Sequence, residues 1–138
     1  MTMEPTVLAN IDVDDIARAT EFYCKALKLR VGRRFGKGAV ELLGASAAIY
    51  LLEKAGGTRF APSSEGSRDY DRHWTPVHLD FVVADLNPAL ARATAAGATL
   101  EGEVRTQSWG RIAALSDPFG HGFCLIEFLG RGYDEIAT

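Results

Sequence analysis

The stretch VHLDFVVAD, residues 77–85, places His78 and Asp80 two residues apart. In an extended strand that spacing puts both side chains on one face. An imidazole beside a carboxylate supports two chemistries. Asp80 can orient His78 as a general acid or base, or both can donate to a divalent cation. A cation with open positions for substrate needs about three or four donors. Cys124, inside GFCLIEF, is a candidate soft ligand. His-x-Asp with a further histidine would make a facial triad of the non-haem iron kind. His73 and His121 are the remaining histidines, and neither has a spacing that ties it to this strand. Plainer readings stand beside these. His78 is equally a hydrogen-bonded pocket residue, and Cys124 a small core hydrophobe, since nothing near it in sequence lowers a thiol pKa.

Two further residues suit a ligand rather than a reaction. Trp109 and Arg111 alternate in SWGRIAALSD, and an aromatic face with a guanidinium fits a planar or anionic molecule. Both are expected to face a cavity, or else solvent or a partner subunit. Cys24 and Cys124 lack CxxC spacing and fall in a helical and a strand pattern, so reduced buried thiols are expected. Glu41 and Glu53 read as solvated strand residues.

The elements that must position these residues form one pattern written twice. Residues 6 to 13 alternate as a strand, with Val7, Ala9, Ile11 and Val13 on one face and Leu8, Asn10 and Asp12 on the other. Asp14 or Asp15 then caps a helix with the apolar stripe Ile16, Ala19, Phe22, Tyr23, Ala26 and Leu27. In the second copy, Val77, Leu79, Phe81 and Val83 alternate. Asn87 is expected to cap a helix over 87–96, with Pro88 in its first turn, Gly97 closing it, and Leu90, Ala93 and Thr94 packed on a sheet. A shift of 70 residues lays Val13 on Val83, Asp15 on Asp85, Ile16 on Leu86 and Ala19 on Ala89. Three strand-like runs follow each helix: LRVGRRFG, AVELLGA and AAIYLLEK, then ATLEGEVRTQ, WGRIAALSD and GFCLIEFLG. The order is βαβββ, twice, an α+β architecture with each sheet covered by its helix on one face. Module one spans about 5–53, a linker 54–76, module two about 77–129 and a tail 130–138, all in one domain. The linker is Gly-, Ser- and Pro-rich and reads as a mobile connection with aromatic anchors Phe60, Tyr70 and Trp74, ahead of an ordered lid.

The segments IARATEFYCKALKLRVGRRF, VHLDFVVADLNPALARATAAGATL and SDPFGHGFCLIEF, in that order, resemble the vicinal oxygen chelate superfamily. Its members include glyoxalases, extradiol dioxygenases and fosfomycin- and bleomycin-resistance proteins. The resemblance runs from about residue 6 to 129. It implies two βαβββ modules curled around a shared cavity. In metal-dependent branches it assigns four inward ligand positions, which here carry Leu8, Tyr50, His78 and Cys124. Leu8 offers no donor, and Tyr50 must first lose a proton with a reference pKa of about 10. Cys124 stands where a carboxylate is usual. These positions, with Asn10, Trp109 and Arg111, are the expected ligand-binding set.

The expectation is a small-molecule-binding protein without cofactor, holding an organic ligand. The alternative is a glyoxalase-like lyase or dioxygenase with one divalent metal ion on His78 and Cys124, or metal-free acid–base chemistry by His78 with Asp80. A net charge of −3 gives no footprint for nucleic acid, and the Arg33-Arg34 pair reads as a solvated strand edge. The sequence has no apolar run long enough for a membrane span, nor a leader, so a cytoplasmic homodimer is expected.

Overall fold

A computed structural model describes residues 3–138. The chain divides into two compact units, Met1–Asp69 and Tyr70–Thr138. The boundary falls inside the predicted linker.

Unit 1 contains β1 (Ala9–Val13), α1 (Ile16–Leu27), β2 (Arg30–Phe35), β3 (Ala39–Leu43) and β4 (Ile49–Glu53). Its sheet has the order β1-β4-β3-β2, with β1 and β4 parallel and the other pairs antiparallel. The predicted helical stripe is what α1 buries: Ala19, Phe22, Tyr23 and Ala26. They meet Val40, Leu42, Ile49 and Leu51 on one face of the sheet, all at most 3 % exposed. Asp15 caps α1 by accepting from the Arg18 N–H at 3.0 Å. Strand β1 is shorter than the alternation predicts. Ala9 N–H donates to Ala48 O, and upstream of that point β4 has become the 44–48 turn, so Leu8 has no ladder to join and lies exposed.

Unit 2 contains β5 (Leu79–Val82), α2 (Leu86–Ala96), β6 (Thr99–Leu100), β7 (Arg105–Gln107), β8 (Gly110–Ser116) and β9 (Gly122–Phe128). The sheet order is β5-β9-β8-β6, with β7 also on β8. ATLEGEVRTQ is thus an edge strand in two pieces, interrupted where Gly102 takes a φ of +83°, a conformation that disfavours side chains. The α2 cap is not Asn87. The helix starts one residue earlier, and Leu86 N–H donates to the Glu127 carboxylate of β9 at 2.7 Å. Asn87 instead accepts from the Arg111 guanidinium at 3.0 Å. Leu86, Ala89 and Ala93 are the buried face, while Thr94 is exposed and returns its hydroxyl to the Leu90 carbonyl.

The same device serves unit 1: Ile16 N–H donates to the Glu53 carboxylate of β4 at 2.8 Å. Each helix start is therefore held by a carboxylate on a strand of its own unit, which satisfies a donor the helix leaves orphaned. Glu53 is not idle in solvent.

The segment read as a mobile linker is tied down in both units. Gly57 N–H donates to Arg68 O and Arg68 N–H to Thr58 O, each at 2.7 Å, and Arg68 Nε reaches Asp12 Oδ2 at 2.8 Å. In unit 2, Arg72 pairs with both oxygens of Glu101 at 2.7 and 2.8 Å and also bonds the His73 carbonyl.

Candidate functional site

Strand register explains what each sheet offers on the face away from its helix. In unit 2, Asp80 lies opposite Cys124 on β9, and Cys124 opposite Ala114 on β8. His78, just before β5, extends this row, and its Nε2 approaches Asp80 Oδ1 at 3.3 Å. Donor atoms of His78, Asp80 and Cys124 all lie within 4.8 Å of one another. The structure thus assembles the His-x-Asp pair with Cys124. His73 and His121 are not part of this group; their rings pack edge to face at 5.7 Å. The DPFGHG turn beneath them is built by Asp117, whose Oδ1 accepts from Phe119 and His121 N–H groups at 2.8 and 2.9 Å.

Cys124 is half-buried, and its thiol is pushed up to about 11 by burial first and then by the charge and hydrogen bond of Asp80. It is a thiol at neutral pH, not a nucleophilic thiolate. Burial also raises Cys24. Both cysteines are free.

Next to Cys124 is a pocket of about 190 Å³, lined among others by Arg72, Trp74, Thr75, His78, Glu101, Ala114, Gly122 and Cys124. Small residues make it. A Cβ on Gly122 would stand 2.5 Å from the Arg72 guanidinium, so a larger residue there would push that flexible side chain aside. Ala114 leaves the space beside Cys124 open. Trp74 is 76 % exposed and gives the pocket an aromatic side.

Trp109 and Arg111 are elsewhere. Arg111 is opposite Glu127 in register and shares the helix-covered face, where it bonds Asn87. Trp109 stacks with Phe128 and Tyr133 at 6.4 and 5.1 Å, so the tail packs on its own unit. Trp109 precedes β8 and packs on Phe128 whereas Arg111 lies within the strand, and neither lines the pocket beside Cys124.

In unit 1 the corresponding row is Asn10, Tyr50 and Glu41. Glu41 is not solvated: it is 5 % exposed. Its carboxylate accepts from Arg33 N–H at 3.0 Å, Arg33 Nε at 3.1 Å, Arg33 Nη2 at 2.6 Å and Tyr50 OH at 2.9 Å. The Arg33 hydrogen bonds, with that of Tyr50, hold it down at about 2. Tyr50 is thereby committed to Glu41. Of the four positions that the resemblance assigns to metal ligands, Leu8 offers none and Tyr50 is engaged, so that set does not fit an ion; the donors that come together are His78, Asp80 and Cys124.

The two-sheet α+β arrangement is that of the glyoxalase and fosfomycin-resistance folds. A mutant of FosX from Listeria monocytogenes, complexed with Mn(II) and 1S,2S-dihydroxypropylphosphonic acid, matches at a TM-score of 0.71 and 18 % identity, covering 99 % of this chain and 100 % of that one. Hypothetical protein SA1046 of S. aureus matches at 0.70 and 20 % identity, over 91 % and 95 % of the two chains. The profile of the glyoxalase-like domain family matches residues 9–126. The uncharacterized protein Rv0887c of Mycobacterium tuberculosis is 31 % identical over 135 residues, 91 % of this chain and 75 % of its relative. The chain belongs to the glyoxalase-like domain family, within the vicinal oxygen chelate superfamily. Among the described residues no helix is long and apolar enough to cross a membrane.

Proposed function

We propose that the chain is a small-molecule-binding protein and that an organic ligand occupies the unit 2 pocket without a resident metal ion. The observation that carries this is the row Asp80, Cys124, Ala114. It holds one carboxylate and one thiol, and beside them the small Ala114 leaves room for an organic molecule. Such a site offers a ligand an apolar wall, the Trp74 indole and the His78–Asp80 pair as an orienting polar group, the usual make-up of a small-molecule pocket. Two free thiols suit a reducing cytoplasm, and we take the working form to be a homodimer, which sedimentation tests against a monomer of 14.9 kDa.

Trp109→Phe leaves Trp74 as the one tryptophan of the two, so its fluorescence reports the pocket. Compounds from a fragment library should quench or shift it saturably. Ala114→Leu should abolish that response by filling the space beside Cys124. Responses that persist in Ala114→Leu would contradict the assignment.

A second reading rests on the three donors within 4.8 Å. His78, Asp80 and Cys124 form a tripod for a soft divalent cation such as zinc, which would displace the thiol proton and supply Lewis-acid chemistry for a lyase or dioxygenase. The two readings differ in what the purified protein carries: nothing, or one ion per chain.

A further inference from the structure

We propose that the β2–β3 hairpin of unit 1 carries a recognition site for a planar organic anion, such as an aromatic carboxylate, centred on Arg33. It goes beyond the unit 2 pocket and requires nothing from it.

The hairpin is built to aim one guanidinium. Pairing between β2 and β3 slips between Val31 and Arg34, so Gly32 and Arg33 together stand opposite Glu41. A bulge of this kind re-aims a side chain. Here it turns both the backbone N–H and the side chain of Arg33 onto the same buried carboxylate. Gly32 is needed for the fit, because a Cβ there would stand 2.5 Å from Glu41 Oε1. A surface arginine is ordinarily a loose, strongly disordered chain, and pairing it costs side-chain entropy. Arg33 is 68 % exposed at its side chain yet held by two parallel hydrogen bonds to Glu41, with the Phe35 ring 5.4 Å from its Cζ.

What it presents is specific. Nε and Nη2 are spent on Glu41, and Nη2 also reaches Tyr50 OH at 3.4 Å. Among the described residues Nη1 makes no hydrogen bond, so its two N–H groups face outward in a fixed direction. The Phe35 and Tyr50 rings stand 6.2 Å apart beside them, and Phe35 is 45 % exposed. A guanidinium edge next to aromatic faces recognises an anionic group on a planar apolar body. Pairing with Glu41 does not cancel the attraction. The hairpin carries Arg30, Arg33, Arg34 and Lys37 against Glu41 alone, four cations to one carboxylate, in a chain whose net charge is −3. This local excess of positive charge favours an anion over a cation at the hairpin.

Benzoate is the probe, with neutral benzamide as its control, followed through the Arg33 Nε–Hε and Tyr50 ring resonances. Benzoate should shift both saturably, with a dissociation constant on the order of 1 mM for so small a fragment. Benzamide should bind at least about tenfold more weakly, and Arg33→Gln should lose about as much. Arg33→Lys keeps the charge without the fork and should still lose about fivefold or more. Glu41→Gln gives the sharpest contrast. Removing a negative charge strengthens anion binding if Arg33 is merely a surface cation, and weakens it if Glu41 orients the site. Should that variant not fold, Arg33→Lys carries the same discrimination. Equal shifts by benzoate and benzamide, full affinity in Arg33→Lys, or no saturable shift at all would overturn the proposal. Because the Trp74 response reads the unit 2 pocket alone, either site can fail without the other.

Discussion

The two units have the same frame and opposite faces. Where unit 1 sets Asn10, Tyr50 and Glu41 in line across its strands, unit 2 sets Asp80, Cys124 and Ala114. In the first row a buried carboxylate meets four hydrogen-bond donors and locks the tyrosine. In the second the carboxylate position is a methyl group, so Cys124 turns to Asp80 and a pocket opens beside it. The helix sides did not diverge in this way. Glu53 and Glu127 hold the first N–H of α1 and α2 alike. A duplicated fold can thus keep its scaffold contacts while one face is closed and the other vacated. The lesson is that function in such a protein is read from cross-strand rows, not from single residues.

The two units also differ in how crowded their β3–β4 and β8–β9 turns are. Gly44 has a φ of +115° but a Cβ there would meet neighbours only at 3.4 Å and beyond. Gly120 has a φ of +90° and its Cβ would collide with the Tyr70 and Asp71 carbonyls at 2.6 and 2.5 Å. Gly44→Ala should therefore cost ~1 kcal/mol, and Gly120→Ala ~3 kcal/mol, through backbone strain plus overpacking. Urea unfolding midpoints measure both. Equal costs would mean that the 70–73 segment is not packed on the turn.

Acid should act on the locked face of unit 1. Glu41 is held at about 2 against an ordinary 4.5. A carboxyl lowered in the folded state stabilises the fold above its unfolded value, and that contribution is lost as pH falls from about 4.5 towards 2. In Arg33→Gln the carboxyl should titrate higher and this loss should shrink. A Glu41 carbon resonance titrating near 4.5 in the wild type would break the contrast between the units.

The helix caps should be alike. Glu53→Ala and Glu127→Ala should each cost ~1 kcal/mol. Asn87→Ala, which removes the exposed hydrogen bond to Arg111, should stay within ~0.5 kcal/mol. Thermal unfolding of the three variants checks this, and a large Asn87 effect would restore the local cap.

That last contrast shows how far the sequence could be read. The α1 stripe and a cap at Asp14 or Asp15 were legible because each depends on neighbours within a few residues, and the repeat because both copies carry the same local pattern. The α2 cap was not, since Glu127 lies 41 residues from Leu86 and Asn87-Pro88 looks like a complete local start. Glu41 was misread for a related reason. Alternation gives its face, but the bulge at Gly32–Arg33 that buries it is a property of pairing between strands. His78, Asp80 and Cys124 were singled out by residue type; that they converge in one group, and that Trp109 and Arg111 lie apart from it, needed the register.

On the function proposed above, the vacated face of unit 2 holds an organic ligand and no resident metal. Cobalt(II) titration at neutral pH tests it most directly, because a cobalt ion on Cys124 must take the thiolate and gives a charge-transfer band in the ultraviolet. The expected result is protein that purifies without stoichiometric metal and shows no such band as cobalt is added. A band that saturates at one equivalent per chain, and disappears in both His78→Ala and Cys124→Ala, would contradict it and make the His78–Asp80–Cys124 tripod a metal centre.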